Sequence, residues 1–412
     1  MKMFLALAVL LLPAGYAAAG EQGDGLSDRI AAAVEDGTIK LSFRYRYEFV
    51  DEDGFAKDAH ASTLRSRLSF APKFGDDWAL LAEIDDIRPI GNDTFNDTRN
   101  GKTDRPAVLD PEGTDLNQAW VRYTGFDRVA LTLGRQRINR GNQRYIGGVG
   151  WRQNEQTYDS FSAAYGDAES PFQAFYAYVF NVRRIFGPER GTPGRELDSD
   201  SHLLDAQYRF GPALRLSGYA YLLDFDDADS LSSSTLGIRA DGELALREGV
   251  QLGYAAEYAR QEDFGDNPVN YDADYYLLEA NLGWRPVVVT AGFEVLGGGS
   301  APGSGFRTPL ATLHKWQGWA DRFAVATGGG LASGVEDLYL GIGWQLLDGK
   351  FLLRYHDFDA ETGGGSLGSE WDASASWKFA KYYGLLLKFA SYDADSFSAD
   401  ATKFWVMLTA AF

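Results

Sequence analysis

From Lys40 to the C-terminus the chain divides into short alternating segments whose connections are by turns short and long. The short ones are Gly75-Asp76-Asp77, Gly125-Phe126-Asp127, Gly166–Pro171, Gly211-Pro212, Asp241–Gly249, Trp284–Pro286, Asp348-Gly349 and Ala380-Lys381. The long polar ones are Asp51–Ala61, Arg88–Thr114, Asn139–Gln156, Asn181–Ser199, Asp224–Ser233, Gln261–Asp272, Leu296–Gly334, Asp359–Gly368 and Ser391–Asp400. Tight turns on one side and long loops on the other are the pattern of an antiparallel barrel that crosses a membrane, with the short side periplasmic. Eight short and nine long connections predict about 18 strands, an even number that leaves both ends on the short-turn side.

The segments themselves have a period of two, the repeat of a strand with one apolar face. In Lys40–Phe49, Leu41, Phe43, Tyr45, Tyr47 and Phe49 alternate with Lys40, Ser42, Arg44, Arg46 and Glu48. The last segment, Ala401–Phe412, puts Phe404, Val406, Leu408, Ala410 and Phe412 on one parity. An apolar strand running to the final residue suits a closed barrel, whose last strand must pair with its first to leave no edge in lipid. Rings crowd the apolar parity elsewhere too, as in Tyr176, Tyr178 and Phe180, or Trp371, Trp377 and Phe379. A soluble sandwich would bury such rings, but its second face would not be as charged as the second parity is here.

The N-terminus agrees. Lys2, the apolar run Phe4–Leu12 and Ala17-Ala18-Ala19 read as a secretory leader over 1–19, cleaved before Gly20. A short periplasmic segment over 20–37 and a single barrel domain over 38–412 follow. Beyond Ala19 no apolar run is long enough for a transmembrane helix. There is no cysteine, so neither a disulfide nor a lipoprotein anchor is available. A net charge of −19 argues against a nucleic-acid partner.

The polar parity then lines a lumen. It carries Arg44, Arg46, Arg65, Arg67 and Arg122 in the first strands, and Arg354 among later ones, with acids such as Glu83 and Asp85 interspersed. Arginine forks suit carboxylates, so a basic constriction would favour anionic solutes; the alternative, expected for some of these arginines, is that they and the acids brace the barrel in salt-bridge ladders. Arg135 and Arg137 share parity with Val129, Leu131 and Leu133 and would face lipid, unless a bulge at Gly134 flips the register or they sit above the membrane. The loop Leu296–Gly334 is unusually apolar and basic. Phe306, Arg307, His314, Lys315, Trp316, Trp319, Asp321 and Arg322 make it a candidate gate folded over or into the mouth. Trp316, Trp319 and Phe323 would pack on the wall, His314, Lys315 and Arg322 would face the solute, and the glycine runs Gly297–Gly299 and Gly328–Gly330 would act as hinges. His60, His202, His314 and His356 have no ligand spacing, and no nucleophile or phosphate-loop motif occurs, so neither an enzyme nor a cofactor is expected.

Several segments carry a family resemblance. Leu116–Val121 (LNQAWV), Gly134-Arg135-Gln136, Trp151–Asp159 (WRQNEQTYD) and Phe306–Phe323 together resemble the alginate-export outer-membrane porins. The resemblance implies an 18-stranded barrel in the bacterial outer membrane that conducts an anionic uronate polysaccharide through an arginine-lined constriction. It also implies that Arg135 and Asp159 line the pore. Its further implications are contacts with lipid and lipopolysaccharide, and recognition of the strand ending in Phe412 by the barrel-assembly machinery. The chain departs from the family in having only short periplasmic connections, and an ungated pore would serve as well for uptake of small acidic sugars. A general porin, an outer-membrane hydrolase and a surface adhesin are the alternatives.

Overall fold

The computed structural model describes residues 33–412. The expected leader over 1–19, and all but Ala33–Gly37 of the segment 20–37, lie outside the described residues. Nineteen strand segments run from Thr38–Glu52 to Ala401–Ala411, each antiparallel to its neighbours. Two of them, Ala59–Ala71 and Lys73–Phe74, are one strand broken at Pro72, since both pair with Trp78–Thr94. Proline brings no N–H to the ladder, which accounts for the break. The barrel therefore has 18 staves, as the connection lengths predict.

Closure is made by the ends. Ser42–Glu52 pairs residue for residue with Ala401–Ala411. One further rung joins Leu41 N to Phe412 O at 3.2 Å and Phe412 N to Leu41 O at 2.8 Å. The terminal residue is thus a ladder residue, so the end of the chain is held rather than frayed. Its ring packs 5.3 Å from Tyr382 and 6.2 Å from Tyr383. These rings belong to an aromatic belt at the short-turn end that includes Trp78, Tyr123 and Phe126, and Trp344, Phe351 and Trp377. Amphipathic rings at that level are what a membrane interface favours.

Parity decides which side chains meet lipid. On the outer face Leu204, Leu278 and Leu340 are 51%, 62% and 59% exposed. On the inner face Arg46, Glu48, Glu370 and Asp372 are fully covered. Long loops fold inward to cover them, so the upper lumen is packed like a core. One expected turn, Asp241–Gly249, is shorter than its sequence suggests: the strand Ser233–Arg247 continues through it and leaves only Glu248-Gly249.

Gly134 is the backbone feature the fold depends on most directly. The pairing of Ala119 with Arg135 and Trp120 with Gly134 runs through it in register, so the expected bulge is not there. The register shifts instead between Asp159 and Ser160 on the next strand. Gly134 has φ +124°, and a Cβ there would collide with the carbonyl of Ala119. Gly134→Ala is expected to cost about 1–3 kcal/mol. The measurement is the temperature at which the barrel loses its heat-modifiable mobility on a gel; an unchanged temperature would contradict the strain.

Candidate functional site

The wall arginines of the first strands hold a loop. Arg44 on Thr38–Glu52 donates from Nη1 to Gly150 O at 2.8 Å and from Nε to Gln153 Oε1 at 2.9 Å. Arg46, two residues on and therefore on the same face, donates to Trp151 O and pairs with Asp110 at 3.0 Å. Asp110 comes from the preceding long loop and also accepts from Gln153 N at 2.7 Å. Arg67 chelates Asp85 through two 2.6 Å bonds and reaches Glu155 at 3.0 Å. Arg65 lies 3.5 Å from the same carboxylate, and Arg137 Nε bonds its other oxygen at 2.8 Å. Burial opposes charge on Glu155, but Arg67, Arg137 and Arg65 outweigh it and hold the carboxyl below the usual range. Asp110 is kept ionised in the same way: Arg46 and Arg152 overcome its burial.

This changes the expected picture of an open basic constriction. Arg46 and Arg67 face inward as their parity requires, but they are covered and matched by acids, and Arg44 is covered by loop carbonyls. The loop following Val129–Gln136 therefore runs down into the barrel, pinned by charge-assisted bonds that are strong where water is excluded.

The second inward loop interlocks with the first. Gly147 N donates to Leu310 O at 2.9 Å, and Thr312 N to Gln143 O at 3.1 Å. Gln156 Nε2 also reaches Leu310 O, at 3.1 Å. Tyr145 of the first loop and Phe306 of the second meet Tyr275 of the wall, with ring centres 5.7 and 5.5 Å from it. On the far wall, Glu370 Oε1 accepts from Ala320 N at 2.7 Å and Asp372 Oδ1 from Trp319 N at 3.4 Å. Gly318 makes this approach with φ +76°, and any Cβ would strike the Glu370 carboxylate.

Between the loops lies a box of rings around a cation. The His314 imidazole stacks on Trp151 at 4.3 Å and 8°. Lys388 Nζ sits 3.6 Å from the Trp319 ring centre and 4.3 Å from that of Trp151, whose ring also has the Arg46 guanidinium at 4.3 Å. Lys388 donates to His314 Nε2 at 2.6 Å, and His314 Nδ1 donates to Asp321 at 2.8 Å. That network assigns a neutral imidazole protonated on Nδ1. Burial favours the same state, pushing the His314 pKa well below its ordinary value. Burial also opposes charge on Asp321, but His314, Lys403 and Arg152 together hold it well below the carboxylate range.

Each of the expected gate residues now has a place. Phe306 is buried among the tyrosines, and Arg307 is covered, its Nη groups on Ser230 O and Gly303 O and its head 4.2 Å from the Tyr271 ring. Trp319 packs against Lys388, and Phe323 against Phe358 and Phe397, at 4.6 and 4.9 Å. His314 does not face the lumen space: it is enclosed by the box. Arg322 sits at the rim, pairing with Glu52 at 2.7 Å. Lys315 alone of the three expected solute-facing bases is exposed, donating to Asn142 O at 2.9 Å beside the half-buried Trp316. The Gly297–Gly299 run is no free hinge, because Gly297 N is tied to Asp274 O and Gly299 N to Ala332 O, both at 2.8 Å.

Arg135 and Asp159 are brought together as a bidentate pair, at 2.7 and 2.9 Å, with Arg135 Nη1 on Leu116 O at 3.0 Å. Three lumen cations stand apart. Arg122 bonds only Thr132 Oγ1, at 3.0 Å, and lies 4.7 Å from the Trp120 ring centre. Arg354 lies 5.1 Å from the Tyr339 ring centre. Among the described residues, these two and Lys315 have no carboxylate within salt-bridge distance, as is also true of the covered Arg44, Arg307 and Lys388, which loop groups occupy instead. Sequence reasoning gave no role to Arg152, Glu155 and Lys388, and grouped Arg137 with Arg135 without foreseeing its bond to Glu155; these roles depend on which loop turns inward. The one signal was the motif Trp151–Asp159, which encodes the floor of that loop.

A closed barrel with an apolar outer face, a polar lumen and loops folded into it defines an outer-membrane channel. A family model for alginate export matches residues 37–285, more than half of the chain, and the protein belongs to that family. The match takes in Leu116–Val121, Gly134-Arg135-Gln136 and Trp151–Asp159 but ends before Phe306–Phe323. No curated protein matches the chain. Among solved structures it is similar to OccAB4 of Acinetobacter baumannii, with 14% identity, 91% of this chain and 98% of that one covered, and a TM-score of 0.70. OccAB2 of the same organism gives 17%, 92%, 99% and 0.70. The outer membrane protein OpdK of Pseudomonas aeruginosa gives 15%, 92%, 99% and 0.67. At these identities the likeness is one of fold. Family and fold together place the protein in the bacterial outer membrane, as a channel-forming barrel and not an enzyme.

Proposed function

We propose that the barrel is a passive channel for anionic saccharides, alginate or related uronates among them, working without a cofactor or a covalent step. The observation that carries this reading is the charge left over in the lumen. Arg46, Arg65, Arg67, Arg137, Arg140 and Arg239 are matched by carboxylates, whereas Arg122, Arg354 and Lys315 are not. Most acids of the wall are taken up by its own bases and by loop groups, Glu279 being an exception bonded only to Asn281 and Tyr339, and the bases left over attract carboxylates along the path. The surplus of acids that makes the whole chain negative lies largely in outer loops such as Asp224–Asp229, away from the lumen. Lipid and lipopolysaccharide cover the outer face in this reading, and the strand ending in Phe412 is the handle for barrel assembly.

The test is block of single-channel current by oligouronates, with neutral oligosaccharides of equal length as the control. The uronates are expected to block at lower concentration. Replacing Arg354 and Lys315 together with glutamine should weaken that block about tenfold, the worth of one charge-assisted contact. Equal block by neutral and acidic oligomers would overturn the proposal.

A further inference from the structure

We propose that Trp120 and Arg122 form a capture subsite on the periplasmic side of the inward loops, which takes one carboxylate-bearing sugar ring. The inference rests on the channel reading above and deepens it. Glu83 and Gln118 mark the floor of the packed region, where Glu83 is held by Arg67, Gln118 and Asn117. Trp120 and Arg122 continue on the same inward face toward the short turn, about 7 and 13 Å below Gln118 at a strand's rise per residue. Register fixes their neighbours: Trp120 pairs with Leu81 on one side and Gly134 on the other, and Arg122 with Ala79 and Thr132. Gly134 sets no side chain beside the indole on that flank.

Trp120 is half-buried on the polar parity of the channel wall, with Leu81 across one ladder and its Nε1 donating to Gln118 Oε1 at 3.4 Å, and these contacts engage its edge without calling for so large a ring. Its neighbour supplies a reason. The Arg122 guanidinium is held over the indole, 4.7 Å from the ring centre, and its Nε is anchored on Thr132 Oγ1. Both Nη groups then remain without a protein acceptor among the described residues. The fork is held in place before any ligand arrives, which lowers the ordering cost of binding. A planar cation backed by an aromatic face matches a carboxylate in two parallel bonds, while the indole offers a surface to the C–H face of a pyranose. A uronate carries both groups on one ring; a neutral sugar carries one, and a simple inorganic anion carries only the other.

The experiment uses the full-length barrel in a planar bilayer, with trigalacturonate added on the short-turn side and maltotriose as the neutral probe. Trp120→Ala is expected to shorten trigalacturonate block events about tenfold, and Trp120→Phe to restore most of the residence time. Arg122→Gln should shorten trigalacturonate events and leave maltotriose events as they were. Parent-like residence times for trigalacturonate in both Trp120→Ala and Arg122→Gln would overturn the subsite while leaving the channel reading intact. No block of the parent protein from either side would contradict the channel reading itself, and the subsite with it.

Discussion

Arg46→Ala is expected to release the loop that follows Val129–Gln136, giving larger and noisier single-channel currents and new tryptic cleavage at Arg140, Arg144 or Arg152. Arg46 is fully covered, and its partners are Asp110, Trp151 O and the face of the Trp151 ring. Truncation leaves Asp110 with less compensation in a place water does not reach. Removing one partner of a buried ion pair costs about 3–5 kcal/mol, even where the intact pair adds little net stability. That cost falls on the docked state of the loop, because the 18 paired strands do not depend on it. Currents and proteolysis identical to those of the parent protein would show that the remaining contacts of Gln153 and Glu155 hold the loop unaided.

The second large effect is expected on excising Ser300–Gly330 and joining Gly299 to Leu331. The ends are already adjacent, since Gly299 N donates to Ala332 O at 2.8 Å. The excision removes Phe306, His314, Trp316, Trp319 and Phe323, and with them one half of the packed upper lumen. It leaves Glu370 and Asp372 facing water, which suits carboxylates now covered by loop groups, while Glu294 keeps Arg144 and Tyr275. Conductance should rise at least about twofold, because the narrowest region of a pore dominates its resistance. Unchanged conductance would place the loop outside the permeation path, as a cap.

Much of the fold was legible because membrane barrels repeat one rule. Parity assigned Leu408, Phe404 and Phe412 outward and Arg44, Arg46 and Glu48 inward, and connection length gave the strand number. The interruption at Pro72 changed the count of segments without changing the number of staves. The site was less legible. A buried, neutralised arginine and a bare pore arginine have the same parity, and only the path of a distant loop tells them apart. Arg44, Arg46 and Arg67 look like Arg122 in sequence, yet loop groups from Gly150 to Glu155 occupy the first three. His314 illustrates the same limit: its neighbours in sequence are exposed or half-buried, but Trp151 and Lys388 reach it from other parts of the chain. The resemblance marked Arg135 and Asp159 as pore-lining but not as partners of one another, and Gly134 beside the pair has φ +124° without the expected bulge.

On the proposed reading the lumen, unlike the chain as a whole, carries a positive remainder. The reversal potential of the purified barrel in a planar bilayer, under a tenfold KCl gradient at neutral pH, tests it most directly. The expected potential has the sign set by chloride and moves toward zero when Arg122, Lys315 and Arg354 are replaced with glutamine. A potential of the sign set by potassium in the parent protein would contradict it.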